Sequence, residues 1–569
     1  MIWRGNCGLD RMAEKAALNH ALRVSPKMKL VTVAEMVAIE KEADAAGLTY
    51  AQMMENAGRS LAETIQELQI DNGDRQILGL VGPGNNGGDT LVALSLLAAS
   101  GWQAHAYLVK RDRDGLMDRL DKAGGHVDTA HADQGFAKLL SLIATSTIVL
   151  DGLLGTGTKP PVRGEVAAAM AAAKELLYDM DRRPYVIAVD CPSGVDCDTG
   201  DVSDECIPAD LTVTIAGVKQ GLLRTPAYDL VGDLRAVDIG LPSDLPSLRS
   251  VQTEVVDQNL VARILPDRPV DSHKGTFGTA MIVAGSVNYT GAAFLAGSAA
   301  YRAGAGLVTL AVPSPLHAAL AGRLPEATWL LLPHEVGVIS RDAAEVLFDG
   351  LASSSALLVG PGLGTENTTE EFIARLLHSA TGASKSTAPM GFIGAGMGRE
   401  PERGGQLQAL VFDADGLKLL ARIEDWPKLL PGTAVLTPHP GEMAVLTGLS
   451  KEEIQRDRSG IASSYARSWG HVVVLKGAFT VVAAPQGQVA IIPVASAALA
   501  RAGTGDVLAG IIVGLRAQGV DPYDAAMAGA WIHAQAGLYA ARRLGNVASV
   551  LAGDVLESIA EVISDLPGN

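Results

Sequence analysis

Short apolar runs recur along the chain, each closed by a Gly-rich or acidic turn and followed by a stretch with helical spacing. Lys29–Glu42 starts the first clear element. A helical pattern then covers 33–68, with Met36, Ile39 and Ala43 leading on to Met53, Met54 and Ala57. Gln76–Val81, Trp102–Val109, Thr147–Leu150, Tyr185–Val189 and Leu211–Ile215 read as strands, and Thr90–Ala99 as a helix. Pro and Ser cluster at 242–247, which sets a domain boundary near residue 250. The alternation then resumes. Thr279–Val283, Leu307–Val312, Ala356–Val359, Ala409–Asp413, Ala434–Leu436 and Val472–Leu475 read as strands. Gly291–Ala303, Asp506–Leu515 and 523–542 read as helices. Buried apolar strands alternating with helices predict parallel sheets covered on both faces.

The length of 569 residues suits two large domains or three smaller ones, and the abundance of Gly (63) beside few aromatics (4%) agrees with α/β architecture. No repeat with a period of 20–50 residues is present, which argues against a solenoid or propeller. A net charge of −17 argues against a nucleic-acid partner, because phosphate backbones are bound by clustered Lys and Arg. No apolar run approaches the length of a bilayer span, and residues 1–27 lack the apolar core of a signal peptide, so a cytoplasmic protein without a membrane partner is expected. Residues 1–27 read as a dispensable extension, with a short amphipathic helix as the alternative. Residues 380–408, rich in Gly, Ser, Pro and Ala, read as a flexible insertion. Cys7, Cys191, Cys197 and Cys206 have no Cys-x-x-Cys pairing, so free thiols are expected rather than a metal site.

In the first half, Gly82–Asp89 (GPGNNGGD) joins a strand to a helix. The segment is either a phosphate cradle, built from backbone N–H groups at the helix start, or a tight turn capped by Asp89. It is neither a Walker loop nor a good dinucleotide fingerprint. Asp151 closes the strand TIVL and opens Asp-Gly-Leu-Leu-Gly-Thr-Gly. Asp190 closes YVIAV and opens Asp-Cys-Pro-Ser-Gly. Ligands of open parallel sheets bind outside the carboxyl ends of the strands, so these acids and the Gly loop converge on one crevice.

Asn85–Asp89, Asp151 with Gly155-Thr156-Gly157, and Val189–Gly194, together with the early Met53–Gly58, resemble the NAD(P)H-hydrate epimerase (YjeF N-terminal) family over about 29–240. The resemblance implies that Asn85, Asn86, Gly87, Gly88 and Asp89 contact the hydrated cofactor. It implies the same of Gly155, Thr156, Gly157, Thr158, Lys159, Pro160, Pro161 and Asp190. It further implies that Asn86, Asp151 and Ser193 hold a potassium ion. Thr90 stands where the family usually has Gly. Epimerisation needs a group that gives and takes protons at the hydroxyl-bearing ring carbon. Asp151 is the candidate, with a purely metal-holding role as the alternative.

In the second half, Ala502–Asp506 (AGTGD) precedes an apolar helix, where Asp506 is either a helix cap or a general base beside a phosphate-binding helix start. Its companions are His273–Gly278, Gly360–Gly364, Asp413–Leu417, Thr437–Met443 and Leu475-Lys476-Gly477. The set resembles the NAD(P)H-hydrate dehydratase family, a branch of the ribokinase-like fold, over about 251–565. The resemblance implies that Lys476, Gly477, Ala478, Phe479, Thr480 and Gly505 bind ADP or ATP with Mg²⁺, and the fusion of two halves points to ADP. It implies that Ala293, Gly362, Gly364, His439 and Asp506 face the hydrated cofactor. Asp506 would act as the catalytic base. His439 has a plainer alternative as a turn residue between two prolines.

The expected architecture is therefore an N-terminal Rossmann-like three-layer α/β/α domain over 29–245, behind an extension at 1–28, and a C-terminal ribokinase-like α/β/α domain over 251–565. The implied substrates are the hydrates of NADH and NADPH (NADHX and NADPHX) with ADP or ATP, in a homo-oligomer. The competing reading is a small-molecule kinase that releases a stable ester, preceded by a non-catalytic binding domain.

Overall fold

The computed structural model describes residues 28–68, 75–380 and 409–567. The extension read at 1–27, Cys7 and the insertion beyond residue 380 lie outside the described residues. The chain divides into two compact units between Asn259 and Leu260. Leu245 and Val251 are buried in the first unit's core, which draws the Pro/Ser cluster into that unit.

The first unit opens with two helices, α1 (Val33–Ala45) and α2 (Tyr50–Glu67), where one helical pattern had been expected. Gly47 turns into the left-handed region, and Thr49 then starts a new helix through a capping box with Gln52. Seven strands follow: β1 (Gln76–Val81), β2 (Gln103–Leu108), β3 (His126–Thr129), β4 (Ile148–Gly152), β5 (Tyr185–Val189), β6 (Leu211–Ile215) and β7 (Asp233–Val237). All pair in parallel, in the order β3-β2-β1-β4-β5-β6-β7. Between them run α3 (Asn85–Ala99), α4 (Gly115–Lys122), α5 (Ala137–Thr145) and α6 (Gly164–Asp179). Alternate strand residues face two cores, as the two-residue period of a strand requires. Ile77, Val81, Leu150 and Ile187 pack with α1, α2 and α3, while Leu78, Leu80, Val149 and Val186 pack with α5 and α6. Cys191, Cys197 and Cys206 are free and buried in a smaller apolar cluster.

The second unit is built on β8 (Thr279–Val283), β9 (Leu307–Pro313), β10 (Thr328–Leu332), β11 (Ala356–Val359), β12 (Leu410–Phe412), β13 (Val435–Leu436), β14 (Val472–Leu475), β15 (Val481–Ala483) and β16 (Val489–Ile491). Their order is β16-β15-β14-β13-β12-β11-β8-β9-β10, parallel except for the antiparallel β14-β15-β16 meander. The helices that matter for the site are α7 (Thr290–Arg302), α8 (Pro440–Thr447), α9 (Thr504–Ala517), α10 (Pro522–Leu544) and α11 (Ala552–Ser564). Helix α9 crosses β8, β11 and β12 and is flanked by α7, α10 and α11. Val507, Leu508, Ile511, Ile512, Val513 and Leu515 are all buried along it, each stabilising the fold by about 1.5–3 kcal/mol.

Two glycines let α9 approach α7 backbone to backbone. A Cβ at Gly510 would stand 2.3 Å from the Ala296 carbonyl oxygen, and one at Gly514 2.7 Å from that of Ala300. The two helices therefore run in the same direction. Stepping back one turn along this row puts Asp506 level with Ala292 and Ala293. No helix among the described residues is long and apolar enough to cross a membrane.

Candidate active sites

The strand order of the first sheet reverses between β1 and β4, and such switch points open a crevice at the carboxyl edge. A cavity of about 600 Å³ lies there. Its wall includes Asn85, Asn86, Asp89, Gly155, Thr156, Gly157, Thr158, Lys159, Pro161 and Asp190. Gly87, Gly88 and Pro160 do not line it; the two glycines sit in the first turns of α3, beneath the surface. Helix α3 begins at Asn85 on a Gly84 cap with no capping side chain, which leaves its first N–H groups free for an anionic ligand. Asp89 lies inside the helix, so it is not the cap that the turn reading required. Thr90, at the family's Gly position, is fully buried and donates to the Asn86 carbonyl at 2.8 Å. Gly152 makes room for it: a Cβ there would stand 2.0 Å from the Thr90 hydroxyl.

Asp151 is fully buried and stands outside the cavity wall. Its Oδ2 accepts from Ser193 N at 2.8 Å and its Oδ1 from Ser193 Oγ at 2.6 Å. Burial pushes its carboxyl up, and the Ser193 hydrogen bonds oppose that. With both oxygens committed and no access to the cavity, Asp151 does not fit the proton-moving role expected for it. Asn86 and Ser193 meet at Leu154. Asn86 Nδ2 donates to the Leu154 carbonyl at 2.8 Å, and Leu154 N donates to Ser193 Oγ at 2.9 Å. Asn86 Oδ1 is buried with no hydrogen-bond partner, an arrangement a buried acceptor adopts only at a cost unless a cation or water meets it.

Five further residues line the cavity that the motifs do not reveal: Glu40 on α1, Val162 and Arg163 before α6, Ile215 at the end of β6 and Lys219 just after it. Lys219 is 1% exposed and donates to Asp190 Oδ1, to Thr214 Oγ1 at 3.3 Å and to the Ile215 carbonyl at 2.8 Å. Burial, with the Asp190 and Glu40 charges adding, raises the Asp89 carboxyl well above the usual range, against the pull of Lys219. Burial likewise raises Glu40, again opposed by Lys219. A polar turn after β6 was the available signal for Lys219; nothing in the pattern around Glu40 sets it apart.

In the second unit the strand order reverses between β8 and β11. The loops that leave these strands are joined by a hydrogen bond from Gly285 N to the Pro361 carbonyl at 2.8 Å. Gly362 and Gly364 in this turn take left-handed conformations, and Gly364 N donates to Asp415 Oδ2 at 3.0 Å. Asp413, at the end of β12, is buried. Its Oδ1 accepts from Thr437 Oγ1 at 2.7 Å and from Lys476 Nζ at 2.6 Å, while Oδ2 has no partner. Glu442 Oε2 lies 3.7 Å from the same Lys476 nitrogen. Of the predicted run 476–480, Lys476 reaches this acidic group, while Gly477, Ala478, Phe479 and Thr480 form the turn into β15, closed by Thr480 Oγ1 donating to Gly477 O at 2.9 Å.

Helix α9 starts on Gly503 with no capping side chain, so Asp506 in its first turn is not a cap. Burial and the Asp413 charge push its carboxyl up to about 7, against Lys476. Gly505 stands beside Lys476 and Asp413, and Ala293 is buried on α7. His439 does cap its helix. Its Nδ1 accepts from Gly441 N at 2.9 Å and Glu442 N at 3.2 Å, leaving Nε2 3.3 Å from Glu442 Oε1, with the side chain half exposed. Burial lowers its pKa, which favours the neutral ring that capping needs. His273–Gly278 lies elsewhere. It precedes β8 at the amino edge of the sheet, where a Cβ on Gly278 would stand 1.9 Å from the Ala517 carbonyl oxygen at the far end of α9.

A family model described as NAD(P)H-hydrate dehydratase matches residues 280–561, and one described as the YjeF-related protein N-terminus matches residues 50–221. The bifunctional NAD(P)H-hydrate repair enzyme of Moorella thermoacetica is 37% identical over 548 residues, which cover 95% of this chain and 97% of that relative. Its counterpart in Salinibacter ruber is 34% identical over 542 residues, 91% of this chain and 93% of the relative. Among solved structures, the ADP/ATP-dependent NAD(P)H-hydrate dehydratase from Bacillus subtilis, co-crystallised with ATP/Mg²⁺, is 28% identical with a TM-score of 0.42, covering 54% of this chain and 96% of that one.

Proposed function

The chain belongs to the bifunctional NAD(P)H-hydrate repair enzymes, and from that premise we infer that its first half epimerises the hydrates of NADH and NADPH while its second half dehydrates the S epimer at the expense of a nucleotide. Hydration of the nicotinamide ring leaves a hydroxyl on the carbon beside the ring nitrogen, in either of two configurations. A dehydratase built for one configuration reaches the whole pool only when an epimerase accompanies it.

The observation that carries the dehydratase reading is Asp506, an uncapped acid in the first turn of α9 whose carboxyl is raised to about 7, beside free helix N–H groups. Such a group serves as a general base near neutral pH. Asp506 takes the proton of the substrate hydroxyl, and the hydroxyl oxygen attacks the terminal phosphorus of the nucleotide, displacing the remaining nucleotide as leaving group. Phosphate then departs from the ring carbon, driven by the nitrogen electron pair, and the neighbouring carbon loses a proton to restore the dihydronicotinamide. The free helix start and Lys476 supply positive potential for the phosphoryl group. The unpartnered Asp413 Oδ2 suits Mg²⁺, which would neutralise phosphate charge. ADP is the proposed donor.

In the first half, the buried carboxylate of Asp151, the unpartnered Asn86 Oδ1 and the Ser193 hydroxyl form an all-oxygen set that suits K⁺. Bound there, the ion would balance the buried charge and hold the loops after β1 and β4 together. The test is recovery of reduced-nicotinamide absorbance from a mixed-epimer NADH hydrate with Mg²⁺ and ADP, then ATP. Full recovery is expected. Recovery that stops at one epimer would refute the epimerase, and no recovery would refute the repair reading.

A further inference from the structure

We propose that Asp190 is the proton-transfer group of the first half and that Lys219 positions it; the proposal rests on the epimerase reading. The reaction needs a base whose free oxygen faces the substrate. Asp151 has neither a free oxygen nor a place on the cavity wall. Asp190 has both. Its Oδ1 accepts from Ile215 N at 2.9 Å, Thr214 Oγ1 at 3.3 Å and Lys219 Nζ, while its Oδ2 accepts no hydrogen bond among the described residues. One oxygen is anchored and the other is left for the ligand. The anchoring begins in the backbone. Asp190 sits in the left-handed region at φ 64°, with its N–H donating to the Val213 carbonyl at 2.8 Å.

Lys219 has no donor left for the substrate. Its three N–H groups match three acceptors, Asp190 Oδ1, Thr214 Oγ1 and the Ile215 carbonyl. It is a fixed buried cation, and its effect on chemistry runs through Asp190. The groups that face the carboxylate from neighbouring elements are Glu40 on α1, Asp89 on α3 and the buried Cys191 thiol.

The proton moves as follows. Asp190 Oδ2 takes the hydroxyl proton. The oxygen pair forms a carbonyl as the carbon–nitrogen bond breaks, and that bond's electrons pass to the ring nitrogen, where the conjugated carboxamide spreads them. Rotation about the adjacent carbon–carbon bond turns the aldehyde over. The nitrogen pair then adds to the opposite face, and Asp190 returns the proton to oxygen. Nothing is oxidised or reduced, and no atom is gained or lost.

The experiment uses the full chain with K⁺, no nucleotide and a single epimer of NADH hydrate, the epimers being separated chromatographically. Asp190→Asn is expected to lower kcat ~100-fold or more. Its KM should stay within ~3-fold of wild type, which reports a folded site. Lys219→Met is expected to lower kcat ~10-fold or more with KM within ~3-fold of wild type, and Lys219→Arg, which keeps a cation beside Asp190 Oδ1, is expected to recover part of that loss. Wild-type turnover by Asp190→Asn or by Lys219→Met would overturn the proposal. A wild-type chain that does not interconvert the epimers would instead overturn the epimerase reading, and the proposal with it.

Discussion

The pH dependence of the dehydratase half can be worked out from the surroundings of Asp506. With its carboxyl at about 7, the base is ionised in only ~0.1 of molecules at pH 6 and in ~0.9 at pH 8, so turnover should rise about tenfold across that interval. The assay starts from the S epimer of NADH hydrate with saturating Mg²⁺ and nucleotide, so that epimerisation does not enter the rate. Two variants separate the enzyme's titration from that of the nucleotide phosphates. Asp415→Asn removes a negative charge that holds the proton on Asp506, and the midpoint should fall. Lys476→Met removes the cation that opposes it, and the midpoint should rise. The nucleotide's own ionisation is common to all three proteins and cannot produce opposite displacements. A flat profile between pH 6 and 8, or one midpoint shared by all three, would refute this account of the site.

Asp506→Asn should lower dehydration by about 10²–10⁴-fold while epimer interconversion without nucleotide continues at the wild-type rate; loss of both would show a structural rather than a chemical role. Asn86→Ala removes the buried unpartnered oxygen, and the K⁺ concentration for half-maximal epimerisation should rise ~10-fold in a titration against a sodium background, an unchanged value arguing against the cation site. Gly510→Ala forces a methyl group against the Ala296 carbonyl and should cost about 1–3 kcal/mol in denaturant unfolding; a neutral result would mean that α7 yields easily.

The buried strands were legible because each is a continuous apolar run: Gln76–Val81, Tyr185–Val189 and Thr279–Val283 have the same bounds in the pattern and in the sheets. The outermost strands were not. His126–Thr129 and Asp233–Val237 are only partly covered, so their residues carry no unbroken apolar signal. Asn86 and Asp190 were singled out through the rule that ligands meet parallel sheets at the carboxyl ends of strands, and Asp506 through the free N–H groups of a helix start after a Gly turn. Partnerships between distant residues did not follow. Ser193 lies 42 positions after Asp151 and takes both its oxygens, and Lys219 lies 29 positions after Asp190 and anchors one of its oxygens. Both pairings are set by neighbouring strands of the folded sheet and leave no trace in local spacing.

The seating of α9 on α7 has a consequence for how this enzyme tolerates change. Most catalytic groups inherit their position from side-chain packing, which drifts as core residues are exchanged over many generations. Here the depth of Asp506 is metered by main chain resting on main chain at Gly510 and Gly514, four and eight residues along the same helical row. That contact has no rotamers through which to relax. Exchanges among the surrounding Val, Leu and Ile can therefore accumulate while the base keeps its reach. One added carbon in the glycine row displaces the whole rod, and the first quantity to suffer is turnover.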